Sequence, residues 1–238
     1  MSFAAHIRPA IDRVYIGMRD AARERVRTLA AHTGIRPGLN SSFYFGLLAR
    51  PMTAEAFAAV TTYSGGDMTD ELAQGIMTVD EHGEWSLTES GRVHTLALQG
   101  IIADAAEERW SQTFHDTLPG TTALPRLADL LAVVLDAGAA TGGVAFRAAA
   151  PVYEPTGASY ALQVSTRLGA LRHHRADAHR AAWQGAGLTA DQVRALSPTN
   201  PLRMEIEAET NRRDDRIYDT LTDPQRWDLL ALLAALPN

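Results

Sequence analysis

The stretch TAEAFAAVTTYSGGDMTDELAQGIMTVDEHGEWSLTESGR, residues 53–92, decides the architecture of the first half of the chain. Thr53 is a suitable N-cap, so a helix is predicted over 53–63. Turn-forming residues, helical periodicity and strand-like alternation in the rest of the stretch predict four further elements. These are a turn over 64–67, a helix over 68–79, a β-hairpin over 80–88 and a long helix from 88 to about 110.

This order of a helix, a tight turn, a second helix, a hairpin and a third helix is that of a winged-helix unit. The second half has a similar outline, with helices predicted over 158–183 and 188–196 and two closing helices. In both halves a charged helix carries an aromatic residue, Trp110 or Tyr218, and a Leu/Ala helix follows. We therefore predict a mainly α-helical chain of two tandem winged-helix-like units. The first has a small β-wing, and the second has a reduced wing, SPTNP.

A stretch rich in Gly, Ala and Pro separates the two predicted units. We place the first unit at residues 1–138, a linker at 139–157 and the second unit at 158–238. A shorter Pro-containing linker is predicted over 115–125, inside the first unit. Paired units of this kind would imitate the two-fold pairing of a dimer, so a monomer and a homodimer are both open.

Length and composition place the chain among globular proteins. Its 238 residues are 46% hydrophobic and 21% charged, which excludes disorder over most of the chain. No apolar run reaches the roughly 18 residues of a membrane span, and no secretion signal is evident. We therefore predict a cytoplasmic protein with no membrane partner. The absence of Cys excludes disulfides, thiolate metal sites and Cys nucleophiles.

The charge distribution argues against DNA as a partner. The net charge is −6, and all 22 basic residues are Arg. Winged-helix regulators insert the second helix of the motif into the major groove and contact phosphates with the wing. Here that helix carries Asp70 and Glu71, and the wing carries Asp80, Glu81 and Glu84, with no Arg in either. DNA binding is therefore the less favoured alternative.

The run RHHRADAHR (172–180) lies inside a predicted helix with apolar flanks. His173 is four residues from Asp177 and His174 is three, so either ring can meet the carboxylate on one helix face. Asp177 would accept a ring N–H and fix the tautomer, which leaves the other nitrogen as a base. His173, His174, Asp177 and His179 are therefore candidate catalytic residues. The alternative is an Arg/His/Asp network that only holds the two halves together, or a solvated helix face.

Five further side chains are candidate substrate-binding groups. Tyr and Arg carry polar ends that need partners when they are buried, and the cleft between paired helical units is a common ligand site. The candidates are Tyr15, Tyr44, Arg50, Tyr63 and Arg175. Arg50 or Arg175 would clamp an anionic group. Ordinary core packing is the alternative for the aromatic residues.

No cofactor-binding motif is present, and no cofactor is predicted. Asp177 and His179 are two residues apart, so their side chains leave the helix in directions about 200° apart. One metal ion cannot bind both of them together with His173. A metal or a haem bound through His is the weaker alternative, and it needs a ligand from a second helix.

Several stretches of the chain resemble a known family. They are Val14 and Tyr15, FYFGLLARPM (43–52), Phe57 and Tyr63, LRHHRADAHRAAWQGAGL (171–188) and IEAETNRRDDRIYDTL (206–221). Together with the order of elements, they are similar to the tandem winged-helix family of actinobacteria that includes SalK of the salinosporamide cluster, within the MarR-like superfamily. The resemblance implies a winged-helix fold and a role beside genes of secondary metabolism.

Three functions are compatible with these patterns. The first is a cofactor-independent acid/base enzyme of natural-product biosynthesis, which would use the cleft between the units for a cyclisation, isomerisation, elimination or hydrolysis. The second is a MarR-like transcriptional regulator in which the same cleft binds a small-molecule effector. The third is an interaction protein without chemistry, which an exposed 172–180 segment would favour.

Overall fold

The computed structural model describes residues 2–35, 41–64, 67–116 and 123–237, with the backbone alone at 41–42 and 112–116. The first half contains α1 (Phe3–Thr33), α2 (Ser41–Ala49), α3 (Ala54–Thr61), α4 (Thr69–Ala73), β1 (Met77–Val79), β2 (Trp85–Leu87) and α5 (Glu89–Asp116). The second half contains α6 (Ala123–Thr141), α7 (Val144–Ala149), α8 (Tyr160–Gly185), α9 (Ala190–Ala195), α10 (Pro201–Asp215), a 3₁₀ turn (Arg216–Tyr218) and α11 (Asp223–Ala235). The prediction of a mainly α-helical chain with one small hairpin is confirmed. No helix in the described ranges is long and apolar enough to cross a membrane.

Helix α1 is the central scaffold of the fold. Apolar residues that recur about every 3.6 positions, such as Ile7, Ile11, Val14 and Met18, are buried along one face. This face packs against α5 of the first half and against α8, α10 and α11 of the second. The first helix therefore positions elements from both halves of the chain.

The second helix of the predicted first unit is shorter than expected. It ends at Ala73, because Gly75 adopts a φ of +65°, a left-handed conformation that closes helix ends. Residues 77–79 form β1 instead, and they pair with β2 in the register Met77↔Leu87. The prediction of a helix over 68–79 is therefore wrong beyond Ala73. The predicted turn over 64–67 includes residues 65–66, which lie outside the described residues.

Aromatic packing attaches the hairpin to the helices before it. The Trp85 ring stacks on Phe57 with the ring centroids 4.4 Å apart. The backbone of Trp85 also exchanges two hydrogen bonds with Met52, at 2.9 and 2.7 Å. These contacts belong to a hydrophobic cluster that joins α2, α3, the hairpin and α7.

The main hydrophobic core is continuous across both halves of the chain. It joins α1, α5, α6, α8 and α11, with Val14, Leu131, Leu168 and Leu229 at 0% exposure. Helix α8 alone packs against α1, α5, α6, α7 and α10. The predicted units at 1–138 and 158–238 therefore share one core in the described residues.

The predicted linker over 139–157 contains a buried helix, α7, which packs against α3 and α8. Its glycines allow close packing. A Cβ at Gly142 would lie 2.3 Å from Cδ1 of Phe146, and a Cβ at Gly143 would lie 2.7 Å from Cγ of Asp177. Small residues are required at both positions, which gives this stretch the composition of a linker. The linker predicted over 115–125 includes residues 117–122, which lie outside the described residues.

Candidate functional site

A cleft of about 930 Å³ lies between α1, α8 and α10 and reaches α9 and the end of α3. The rings of Tyr15, Tyr63 and Tyr218 line it. Six guanidinium groups face three carboxylates in this cleft. The groups are those of Arg8, Arg19, Arg172, Arg175, Arg194 and Arg203, and of Asp12, Glu207 and Asp214. The cleft is therefore positively charged in a chain whose net charge is −6.

The structure brings some of the predicted site residues together and separates the others. Those that line the cleft are Tyr15, Tyr63, His173, Arg175 and His179. Those that do not are Tyr44, Arg50, His174 and Asp177. Every residue of the 172–180 segment is buried or half-buried. The exposed segment that would favour a pure interaction protein is thus not observed.

His173 faces the cleft as a half-buried, neutral imidazole. Loss of hydration lowers the pKa of His173 to about 4, with further lowering by Arg172 and Arg180, while the carboxylate of Asp177 acts in the opposite direction. Its ring nitrogens form no hydrogen bond with any described residue. The imidazole is therefore available to a molecule in the cleft.

His179 is held by a short hydrogen-bonded chain at one end of the cleft. Its Nδ1 lies 3.1 Å from the Tyr63 hydroxyl, which also accepts the Trp183 indole N–H at 3.0 Å. Burial lowers the pKa of His179 and raises that of Tyr63, so both groups are neutral near pH 7. Since Tyr63 accepts from Trp183, its own proton can go to Nδ1 of His179, which places the ring proton on Nε2.

His174 is buried behind the cleft wall, with 2% exposure. Its Nδ1 lies 2.7 Å from Oδ1 of Asp214, and its Nε2 lies 2.9 Å from the hydroxyl of Thr141. The carboxylate that orients this ring is thus Asp214 and not Asp177. Asp214 is 40 residues away in the chain, and no local spacing indicates the contact.

Asp177 has a structural environment that differs from the predicted one. Its carboxylate accepts the backbone N–H groups of Ala145 at 3.2 Å and Phe146 at 2.8 Å, and it pairs with Arg180 at 2.8 Å. The predicted hydrogen bond from a His ring is not among its contacts. Asp177 thereby caps the N-terminal end of α7, which fits the network that was the alternative to catalysis.

Tyr44 and Arg50 lie away from the cleft, contrary to their predicted role in binding substrate. Tyr44 is 1% exposed and donates its hydroxyl to the buried carboxylate of Glu71. Arg50 donates to four carbonyl groups between residues 147 and 151, at 2.7 to 3.5 Å. Both polar ends have partners within the protein, so packing and helix capping account for them.

Two arginines in the cleft differ in how far their charge is neutralised. Arg175 donates to Asn211 at 2.9 Å, to Asp214 at 3.3 Å and to Glu207. Arg203 donates to the carbonyl of Leu196 at 2.5 Å and forms no ion pair with a described residue. Arg203, which the sequence did not single out, is therefore the better candidate for binding an anion.

Neither a metal nor a relative identifies the site. Among the described residues, no three His, Asp or Glu side chains are grouped so that they could hold a metal ion. Comparison of the chain with known protein families, with curated proteins and with solved structures found no match. The chemistry of the cleft is therefore the basis for assigning a function.

Proposed function

We propose that the protein binds an anionic organic molecule in the cleft and acts on it as a cofactor-independent acid/base enzyme of bacterial secondary metabolism. The observation that carries this proposal is His173, a neutral imidazole with no hydrogen-bond partner among the described residues, on the wall of a positively charged cleft. Imidazole is the side chain most often used for proton transfer in enzymes.

The cleft favours an anion that has an apolar or aromatic part. The excess of guanidinium groups and the free charge of Arg203 attract the anion, and the ring of Tyr63, which is 41% exposed, offers apolar surface. A bound anion also places negative charge near His173. This charge raises the pKa of His173 from about 4 towards neutrality, where a general base is most effective.

Two histidines can act on the substrate, one by proton transfer and the other as a hydrogen-bond donor. His173 and His179 are six residues apart on α8, which separates them by about 9 Å along the helix axis. His173 takes a proton from one atom of the substrate and returns it to another, while Nε2–H of neutral His179 hydrogen-bonds to an oxygen on which negative charge develops. Isomerisation and cyclisation, in which a proton is lost at one atom and gained at another, fit this arrangement best.

The likeness to the SalK-related tandem winged-helix family is part of the proposal. Its support is the element order α3, α4, β1, β2 and α5 in the first half, and α8, α9 and α10 in the second. In this interpretation the cleft lies between the two units, and an ancestral DNA-binding scaffold carries the small-molecule site.

Proton exchange tests the role of His173 without knowledge of the natural substrate. Phenylpyruvate, an aromatic keto acid with acidic methylene protons, would be incubated with the protein in D₂O and followed by proton NMR. The native protein is expected to accelerate deuterium uptake over buffer, and His173→Gln to lose at least about tenfold of that rate, equivalent to ~1.4 kcal/mol of barrier. The control His6→Gln alters an exposed histidine on α1 and is expected to change nothing. Equal rates for the native protein and His173→Gln would contradict the proposal.

Calorimetric titration tests the charge preference of the cleft. 1-Naphthoate is expected to bind at least about tenfold more tightly than neutral 1-naphthalenemethanol, and Arg203→Gln to abolish the difference. Arg126→Gln removes an arginine outside the cleft that pairs with Asp228, and it serves as the matched control. A preference that survives in Arg203→Gln would exclude this residue as the anion ligand.

A MarR-like regulator is the second candidate function, favoured by the same order of helices and hairpin. Residues 51–91, which contain the second helix and the wing of the predicted winged-helix motif, carry eight carboxylates and no Arg. Fluorescence anisotropy with DNA from upstream of the protein's own operon separates the two candidates. We expect no binding at low salt, because this surface repels phosphates. Tight binding that weakens steeply with salt would favour the regulator.

A further inference from the structure

Thr141, His174 and Asp214 form a continuous hydrogen-bonded chain across α6, α8 and α10. Asp214 Oδ1 lies 2.7 Å from His174 Nδ1, and His174 Nε2 lies 2.9 Å from Thr141 Oγ1. Since a carboxylate only accepts, Nδ1 of His174 carries a proton, and in the tautomer with that proton alone Nε2 accepts the Thr141 hydroxyl. A hydroxyl, an imidazole and a carboxylate thus follow one another in the order of a nucleophilic triad.

The hydroxyl of Thr141 has a different hydrogen-bond partner from the hydroxyls of other helical threonines in this protein. Six threonines in helices or at their ends donate the hydroxyl to the carbonyl four residues earlier. They are Thr28, Thr33, Thr61, Thr62, Thr166 and Thr210. Thr141 is the last residue of α6, and its hydroxyl bonds to the His174 ring instead. Its rotamer therefore places the oxygen against a base.

Solvent exposure increases along the hydrogen-bonded chain from Asp214 and His174 to Thr141. His174 and Asp214 are 2% and 3% exposed, whereas Thr141 is an exposed residue. Asp214 Oδ2 accepts from Arg175 at 3.3 Å, and the edge of Phe146 packs on the His174 ring with centroids 5.5 Å apart. The base is thus fixed by its surroundings, and the residue that carries the hydroxyl lies at the surface.

A cation lies beside the exposed end of the chain. Arg147 Nη1 donates to the carbonyl of Gly142, the residue after Thr141, at 2.6 Å. The guanidinium group is therefore held at the main chain of the residue that follows Thr141.

We propose that Thr141, His174 and Asp214 form a second site, which transfers acyl groups from carboxylic esters or thioesters. Thr141 Oγ1 attacks the carbonyl carbon, and its proton moves to Nε2 of His174. The tetrahedral oxyanion collapses as the bond to the alcohol or thiol breaks, and the leaving group takes the proton from His174. Water then attacks the acyl-threonine ester and gives a proton to His174. Collapse releases the carboxylic acid and returns that proton to Thr141.

This site is separate from the acid/base chemistry of the cleft. Thr141 is not among the residues that line the cleft, and the two sites meet only at Asp214 and Arg175. Asp214 is a positioning residue here, because it acts through His174. Failure of one proposal therefore leaves the other standing, since His173→Gln tests the cleft and Thr141 variants test the acyl site.

Acetylation by p-nitrophenyl acetate tests the proposal on the full chain. We expect release of p-nitrophenolate and an acetyl group on Thr141, located by mass spectrometry of peptides. Thr141→Val keeps the shape of the side chain and is expected to lower the rate at least tenfold, whereas Thr141→Ser retains activity. The matched control Thr28→Val removes another exposed helical hydroxyl and is expected to match the native rate.

The variant Asp214→Asn tests the positioning role. The amide of Asn can donate to Nδ1, which moves the ring proton to Nε2 and prevents this nitrogen from accepting the Thr141 proton. We expect the acetylation rate to fall in Asp214→Asn and to recover in part in Asp214→Glu, which keeps a carboxylate that only accepts. A purely structural role would instead favour Asn over Glu, because the shape of Asn matches that of Asp more closely. Acetylation at another residue, or equal rates for Thr141→Val and the native protein, would overturn the proposal.

Discussion

His173 links the stability of the protein to pH. Its pKa is about 4 in the folded protein and near the ordinary value of 6.5 in an unfolded chain. The unfolded chain therefore takes up the proton first as the pH falls. The stabilising contribution of the neutral ring is complete above about pH 6.5 and is lost as the pH falls to about 4. The shift corresponds to at most about 3 kcal/mol, reduced by the water that reaches this half-buried ring.

We expect His173→Gln to weaken this pH dependence. The free energy of unfolding in urea would fall between pH 7 and pH 4.5 in the native protein and fall less in the variant. Part of the dependence would persist, because burial also lowers the pKa of His94, whose ring nitrogens have no partner in the described residues. His6→Gln, at an exposed position, is expected to retain the native slope. Equal slopes for His173→Gln and the native protein would contradict the assigned pKa.

Tyr44 contributes to stability through its hydrogen bond to a buried carboxylate. Its hydroxyl donates to Glu71, a residue with 5% exposure. We expect Tyr44→Phe to lower the free energy of unfolding by about 1–3 kcal/mol, because the buried carboxylate loses a donor. Tyr160→Phe, at a residue that is 48% exposed, is the control and is expected to have no effect in the same urea titration. An unchanged midpoint in Tyr44→Phe would show that Glu71 has other partners.

Helix α7 is stabilised by side chains from other elements of the fold. A helix of six residues is too short to be stable by itself. Asp177 accepts two N–H groups at its N-terminal end, and Arg50 donates to carbonyl groups at its C-terminal end. The negative charge of Asp177 at the N-terminal end and the positive charge of Arg50 at the C-terminal end also interact favourably with the helix dipole. The helix is therefore fixed by side chains that are far away in the sequence.

Asp177→Asn is expected to destabilise the fold. The amide offers one oxygen where the carboxylate offers two, and its NH₂ group would face a backbone donor. We expect a loss of about 1–3 kcal/mol, measured as a lower melting temperature. Asp191→Asn changes an exposed carboxylate and is the matched control. A native melting temperature in Asp177→Asn would instead favour the catalytic role that the sequence suggested.

The sequence predicts those elements whose signals are local. Caps and apolar periodicity place α8 and α9 close to their observed positions, whereas the helix predicted over 68–79 passes Gly75, a local stop signal that ends α4 in the structure. The sequence also finds His173 and His179, since dense polar residues on an apolar helix are a local signal. The contact of His174 with Asp214 and the capping of α7 by Asp177 and Arg50 depend on the fold, and no spacing along the chain encodes them.

At the scale of the whole molecule, the continuous core predicts cooperative unfolding. Helix α1 packs on α10 and α11, and α6 packs on α8, so each predicted unit lacks a complete core of its own. We expect a single calorimetric transition with equal calorimetric and van't Hoff enthalpies. Fragments 1–138 and 158–238, prepared separately, are expected to show no cooperative melting. A sharp transition in either fragment would mean that the units are independent domains.

The chain of hydrogen bonds from His179 through Tyr63 to Trp183 also gives the protein an optical reporter. Indole fluorescence responds to the polarity and hydrogen bonding around its N–H, and that N–H bonds to a hydroxyl on the cleft wall. Trp85 and Trp110 are buried in other clusters and Trp227 is 67% exposed, so these three emit a steady background. A molecule that displaces Tyr63 will therefore change the emission of Trp183, and occupancy of the cleft can be read without a label.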